Sequence, residues 1–148
     1  MAINFFSEDV KKPVLKYNPV KQWIREVISS HGKKYGEINY IFCSDEYLLN
    51  VNKEHLEHDF YTDIITFDYS ENDTVLGDLF ISTERVKENA LYMGTGDSEL
   101  YRVMIHGILH LCGFSDHTEE EIETMRKLEN EALIKLDRIF NELGLPSV

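Results

Sequence analysis

The sequence predicts a single α/β domain (α+β in stricter usage): a small mixed sheet packed with helices, and a metal site on a buried helix. Three observations predict it. Short apolar runs such as residues 38–43 and 76–81 read as strands, whereas longer stretches with apolar residues three and four apart read as helices. The two kinds mix along 148 residues without strict alternation, repeat or linker, so residues 1–148 form one domain rather than a doubly wound sheet or a solenoid. One predicted helix, around His106 and His110, is apolar nearly all round and therefore belongs in the core.

The elements follow in order. Residues 3–7 (INFFS) read as a first strand. Asn18-Pro19 opens a helix, with Asn as N-cap and Pro at the first helical position; Val20, Trp23, Ile24, Val27 and Ile28 form its apolar stripe and Gly32 stops it. Residues 38–43 read as a strand. Ser44 caps a second helix, with Asp45 and Glu46 in the first turn, where the helix dipole favours negative charge. Residues 64–69 and 76–81 are two strands around the polar turn Glu71-Asn72-Asp73, a hairpin pattern. A helix from Thr83 to about Met93 ends at Gly94. Asp97 or Ser98 starts the next, which carries Leu100, Val103, Met104, Ile105, Ile108, Leu109 and Leu111. Thr118 and Glu121 make a capping box for a last helix that runs to about Leu143, ahead of Gly144 and Pro146.

The composition, 43% hydrophobic and 28% charged, is that of a globular chain. No apolar run approaches the roughly 18 residues of a membrane span, and residues 1–12 do not resemble a secretion signal, so a cytoplasmic protein with no membrane partner is expected. Cys43 and Cys112 are then core thiols rather than a disulfide. The net charge of −12 argues against a broad nucleic-acid surface, but the charge is segregated. Residues 1–36 hold seven Lys/Arg against three acids, an excess of four that leaves −16 elsewhere. Lys11, Lys12, Lys16, Lys21 and Arg25 are therefore candidate contacts to an RNA backbone, the alternative being a solvated helix face.

The chemistry concentrates in His106-Gly-Ile-Leu-His110-Leu-Cys-Gly113-Phe-Ser-Asp116-His117. Positions four apart on a helix lie on one face, about 5–6 Å apart at Cβ, so two imidazoles can reach one ion. Gly113 can take the left-handed conformation that ends a helix, letting the chain turn back and bring His117 to the same ion. Three neutral imidazoles with a fourth position for water are a common catalytic zinc arrangement, and one Zn2+ per chain is expected on His106, His110 and His117. The alternative is three histidines hydrogen-bonded to backbone or to Asp116. Zinc peptidases of the HExxH kind carry a glutamate base beside the first histidine; here that position is Gly107, which argues against proteolysis.

These residues resemble the YbeY family of bacterial rRNA maturation factors, which are single-strand-specific endoribonucleases with the signature HGxLHLxGYDH. Leu49-Asn50, Tyr61-Thr62-Asp63-Ile64-Ile65-Thr66-Phe67, Leu76-Gly77-Asp78-Leu79-Phe80-Ile81 and Glu99-Leu100-Tyr101-Arg102 resemble further family stretches, so the likeness covers residues 48–125. The resemblance implies a mixed sheet with helices, zinc on three histidines, 3′-end maturation of 16S rRNA and ribosome quality control, with rRNA, the small ribosomal subunit and ribosomal proteins as partners.

Three departures stand out. The family's third histidine falls six residues after the second; here that position is Asp116, and His117 falls seven after His110. Either the loop bulges and His117 binds, or Asp116 takes its place; His117 is the expectation, because a loop after glycine absorbs an insertion. The family's catalytic arginine is replaced by Leu56, with His55, His58 or Lys53 as substitutes, and the proline before Thr62-Asp63 by Tyr61. Two other functions remain open at this point: a non-catalytic ribosome assembly factor with structural zinc, and a zinc hydrolase of peptide or another substrate.

Overall fold

Alternate residues of four strands point to opposite faces of one sheet, and each face meets a different set of helices. The computed structural model describes residues 2–148. Strands β1 (Ile3–Ser7), β2 (Lys34–Cys43), β3 (Ile64–Asp68) and β4 (Thr74–Ser82) lie in the order β1-β2-β4-β3; β2 runs parallel to β1 and β4, and β3 is antiparallel to β4. Helices α1 (Tyr17–Ser30), α2 (Asp45–Leu56), α3 (Thr83–Met93), α4 (Ser98–Leu111) and α5 (Glu119–Glu142) complete the chain. The architecture is the predicted α/β domain with a small mixed sheet.

The period of two decides the faces. Ile3 and Phe5, Ile38, Tyr40 and Phe42, and Val75, Leu79 and Ile81 are buried in the main core with α1, α4 and α5. Two hydrogen bonds of that core join elements far apart in sequence. Trp23 Nε1 donates to the Ala132 carbonyl at 2.7 Å, tying α1 to α5, and the Tyr40 hydroxyl donates to the Met104 carbonyl at 2.9 Å, tying β2 to α4. The other face holds a smaller cluster of Cys43, Leu48, Val51 and Ile65 beneath α2. In register across that face runs a polar ladder: Asn4 Nδ2 donates to Asn39 Oδ1 and Asn39 Nδ2 to Asp78 Oδ1, each at 3.0 Å.

Local signals act largely as expected. The five apolar residues of the α1 stripe are all buried, the Ser44 side chain accepts from the Tyr47 amide, Gly94 is left-handed at the end of α3, and both bonds of the Thr118–Glu121 capping box are present. The hairpin turns through Asn72 at φ 54°. β4 is longer at both ends than expected and β3 one residue shorter, and two starts differ for identifiable reasons. α1 starts at Tyr17, with Lys16 rather than Asn18 at the N-cap; the first four amides of a helix need no internal acceptor, so Pro19 fits anywhere in the first turn and does not mark its start. β2 starts at Lys34, where Lys34 and Tyr35 pair with Thr74 and Val75 before an irregularity that precedes Ile38. No helix among the described residues is long and apolar enough to cross a membrane.

What positions the site is the seat of α4. Glycine at 107 lets the helix lie directly on β3 and β4: a Cβ there would collide with Leu79 Cδ2 and stand 2.9 Å from Ile64 Cδ1 and 3.3 Å from Thr66 Oγ1.

Candidate metal centre

With Gly107 against the sheet, His106 and His110 emerge on the side of α4 that meets α5 and the loop after Leu111. Their side chains are 24% and 28% exposed, so the pair lies at the surface end of a buried helix and solvent reaches it. α4 ends in a tight turn. The Gly113 amide donates to the His110 carbonyl and the Phe114 amide to the Leu109 carbonyl, with Gly113 at φ 104°, a conformation that favours glycine.

That turn fixes both rings. The Phe114 carbonyl lies 2.9 Å from His110 Nδ1 and can only accept, so His110 carries its proton on Nδ1. On α5, Glu129 Oε2 lies 2.7 Å from His106 Nδ1. Glu129 is ionised: burial would raise its pKa, but its hydrogen bonds with His106 and Arg102 outweigh that and lower it. An ionised carboxylate also only accepts, so His106 too has its proton on Nδ1. The two Nε2 atoms then present bare lone pairs to each other at 2.9 Å. Asp116 Oδ2 stands 3.4 Å from each of them.

Three acceptors converging with no donor among them repel unless a cation or a proton lies between them. His106, His110 and Asp116 are the group of ligating atoms that could hold a metal ion. A tetrahedral site with bonds of about 2.0–2.2 Å separates its ligands by roughly 3.3–3.6 Å, which the two contacts to Asp116 match, while the 2.9 Å between the imidazoles is shorter. Without an ion, a proton on His106 relieves the clash. Burial alone would lower the His106 pKa, yet the Glu129 hydrogen bond and the charges of Glu129, Asp116 and Asp63 raise it. The residues therefore fit a divalent metal, with Glu129 orienting one ligand and a backbone carbonyl the other.

Sequence reading found His106 and His110 but expected His117 as the third ligand. The structure brings Asp116 to the two rings instead, and His117 is exposed one residue further on. The Phe114 carbonyl anchors the loop on His110, so the side chain six residues after His110 reaches the ion position and the seventh is carried past it toward the Thr118 cap. The spacing of the pattern is thus kept while the third candidate ligand becomes a carboxylate.

Of the candidate RNA contacts, Lys12 Nζ lies 4.7 Å from the Tyr17 ring centre, Lys21 Nζ 5.9 Å from that of Phe5, and Arg25 Cζ 5.4 Å from that of Tyr35. Lys11 and Lys16 precede the first turn of α1. It is the other end of α1 that meets the metal loop, where the His31 and Phe114 rings are 5.0 Å apart. Lys16 and Lys21 thus lie about 15 Å or more along the helix axis from that contact, and Lys12 sits at the same far end, over Tyr17. Leu56 is exposed at the end of α2. His55 packs on Phe67, on the sheet face opposite α4, His58 stacks on Phe60, and Lys53 pairs with Asp59.

Glu129 and Asp63 were not singled out as site residues. Asp63 enters β3 beside α4, and its pKa is raised by burial against the opposing influence of His106. Arg102 Nη1 donates to Glu129 Oε1 at 3.0 Å and Nη2 to Asn130 Oδ1 at 2.8 Å, holding the buried carboxylate in place.

Comparison with known proteins identifies the family. The profile of the family described as Endoribonuclease YbeY matches residues 5–137. The chain is 52% identical over 134 residues to the Endoribonuclease YbeY of Bacteroides thetaiotaomicron, covering 90% of this chain and 98% of that one. It is 51% identical over 145 residues to that of Porphyromonas gingivalis, covering 97% and 96%. Among solved structures, a Thermotoga maritima protein determined in solution superposes with a TM-score of 0.63 at 27% identity, covering 90% of this chain and 91% of that one.

Proposed function

This chain belongs to the YbeY endoribonuclease family and is a nuclease of the hydrolase class, and from that premise we propose that it is a zinc-dependent endoribonuclease that cuts single-stranded RNA during 3′-end maturation of 16S rRNA and in ribosome quality control. Its partners in this reading are the small ribosomal subunit and its proteins, in the cytoplasm. The observation that carries the metal dependence is the convergence of His106 Nε2, His110 Nε2 and Asp116 Oδ2 on one point.

Zinc held by those three groups would supply Lewis acidity to a phosphodiester and lower the pKa of water to about 7. The chain supplies the rest. Glu129 and the Phe114 carbonyl hold the two imidazoles in the tautomer that leaves Nε2 free. In this reading Asp63, whose pKa burial raises and which feels the charge of His106, is the carboxylate that would take a proton from the attacking oxygen. The lysines at the start of α1 hold the backbone of a longer RNA away from the cut. The peptidase alternative is disfavoured on packing: the residue after His106 faces Leu79 and Ile64, so a side chain there meets the sheet rather than the ion.

The test pairs elemental analysis with cleavage of a 3′-extended 16S rRNA precursor. His110→Ala should lose the metal and the cleavage together. Full cleavage by a metal-free His110→Ala protein overturns the reading.

A further inference from the structure

Apart from the imidazoles, the groups that act on His106 are carboxylates: Glu129, Asp116 and Asp63. Glu99 lies close enough to Asp63 to be influenced by its charge. A strand of RNA must bring phosphates into this negative surround, and the substrate side needs a cation that the fold has not already used.

Two arginines stand on the Glu129 carboxylate, and they are not equivalent. Arg102 is only 20% exposed and spends both ends of its fork, on Glu129 Oε1 and Asn130 Oδ1. Arg126, three residues before Glu129 on α5, is 60% exposed and reaches the same Oε1 only at 3.6 Å. That is beyond hydrogen-bond length. The charge of Arg126 is felt by Glu99, at the foot of α4, as well as by Glu129. A largely exposed guanidinium with free donors therefore stands one carboxylate away from His106, on the Nδ1 side of that ring.

Resting on the endoribonuclease reading, we propose that Arg126 forms a phosphate subsite: its fork binds a backbone phosphodiester of the single-stranded RNA next to the group seated at His106, His110 and Asp116. Leaving Glu129 costs Arg126 little, since a half-solvated contact at 3.6 Å is weak. Glu129 is not left unpaired, because Arg102 and His106 keep it satisfied. The gain is a bidentate, charge-assisted pair with phosphate, which a planar guanidinium makes and an ammonium does not.

The test uses the zinc-loaded full chain and a fluorescent 2′-O-methyl single-stranded oligonucleotide, whose integrity is checked on a gel. Anisotropy titrations are run over a series of salt concentrations, and zinc affinity is measured against a chromophoric chelator. Arg126→Gln should weaken oligonucleotide binding about tenfold. It should also lower the salt slope by about 0.7, the value of one single-strand phosphate contact, with zinc affinity unchanged. Arg126→Lys should restore the salt slope but only part of the affinity. Unaltered binding and slope in Arg126→Gln overturns the subsite; so does a loss of zinc affinity as large as that of Glu129→Ala, which would make Arg126 a support for Glu129. A wild-type protein that neither binds nor cuts RNA removes the endoribonuclease reading and the subsite with it, whereas one that cuts RNA beside an Arg126→Gln protein that binds equally well removes the subsite alone.

Discussion

His106 Nε2 and His110 Nε2 face each other at 2.9 Å while the Nδ1 atom of each ring is already committed, to Glu129 and to the Phe114 carbonyl. Two lone pairs so placed call for a positive charge between them, and the third acceptor at that point belongs to Asp116. Asp116→Ala should therefore lose most of the bound metal, and His117→Ala should retain about one ion per chain. Elemental analysis of the two purified variants reads this directly; the reverse pattern would return the third ligand to His117.

Glu129→Ala removes the orienting partner of His106 and leaves Arg102 without its buried counter-charge. Metal affinity should fall about 10–100-fold, and stability should drop by roughly 3 kcal/mol. Chelator competition and urea denaturation measure the two effects. Glu129→Gln, which keeps the shape, should lose less of both.

The metal-free protein should be most stable in mildly acid solution. His106 has a folded-state pKa above its ordinary 6.5, so its contribution is complete below pH 6.5 and is lost as the pH rises through the folded value. Glu129 lies below its ordinary 4.5, so its contribution is present above pH 4.5 and is lost as the pH falls through the folded value. Urea midpoints should be highest between about pH 4.5 and 6.5 and decline on either side. Added zinc should reverse the decline on the alkaline side, because it binds the deprotonated ring. A metal-free protein that gains stability from pH 6.5 to 8 contradicts the tautomer assignment.

Neither thiol should behave as a reactive cysteine. Burial, helped by nearby carboxylates, pushes Cys43 up to about 12, and burial pushes Cys112 up to about 11. A disulfide reagent at pH 8 should label neither in the folded state and both in urea. Rapid labelling of native Cys112 would show that the metal loop opens.

Local physics made much of this chain legible. The α1 stripe, the Ser44 cap, the hairpin turn at Asn72 and the Thr118–Glu121 box depend on neighbours within four residues, and each appears where the residues place it. The helical spacing of His106 and His110 is legible for the same reason. Glu129 is not: it reaches His106 across 23 residues, through the packing of α5 on α4, and nothing in its surroundings on α5 separates it from its acidic neighbours. Asp116 against His117 was a choice the sequence posed but did not decide, because it depends on which loop carbonyl takes the His110 proton. The start of β2 was hidden by Gly36 and Glu37, which break the apolar alternation.

The seat of Gly107 bears on how such scaffolds diverge. A lineage that drew a hydrolytic base from the residue after the first histidine could not arise from this one by a single codon change. The new side chain would strike Leu79 and Ile64 before it approached the ion. Making room means trimming Leu79, which is fully buried, or lifting α4 off β3 and β4, and lifting it would break the hydrogen bond from Tyr40 to the Met104 carbonyl. The intermediates on that path must repack Leu79 and Ile64 before they gain any new chemistry, so the glycine works as a ratchet that favours bases supplied from outside the histidine helix.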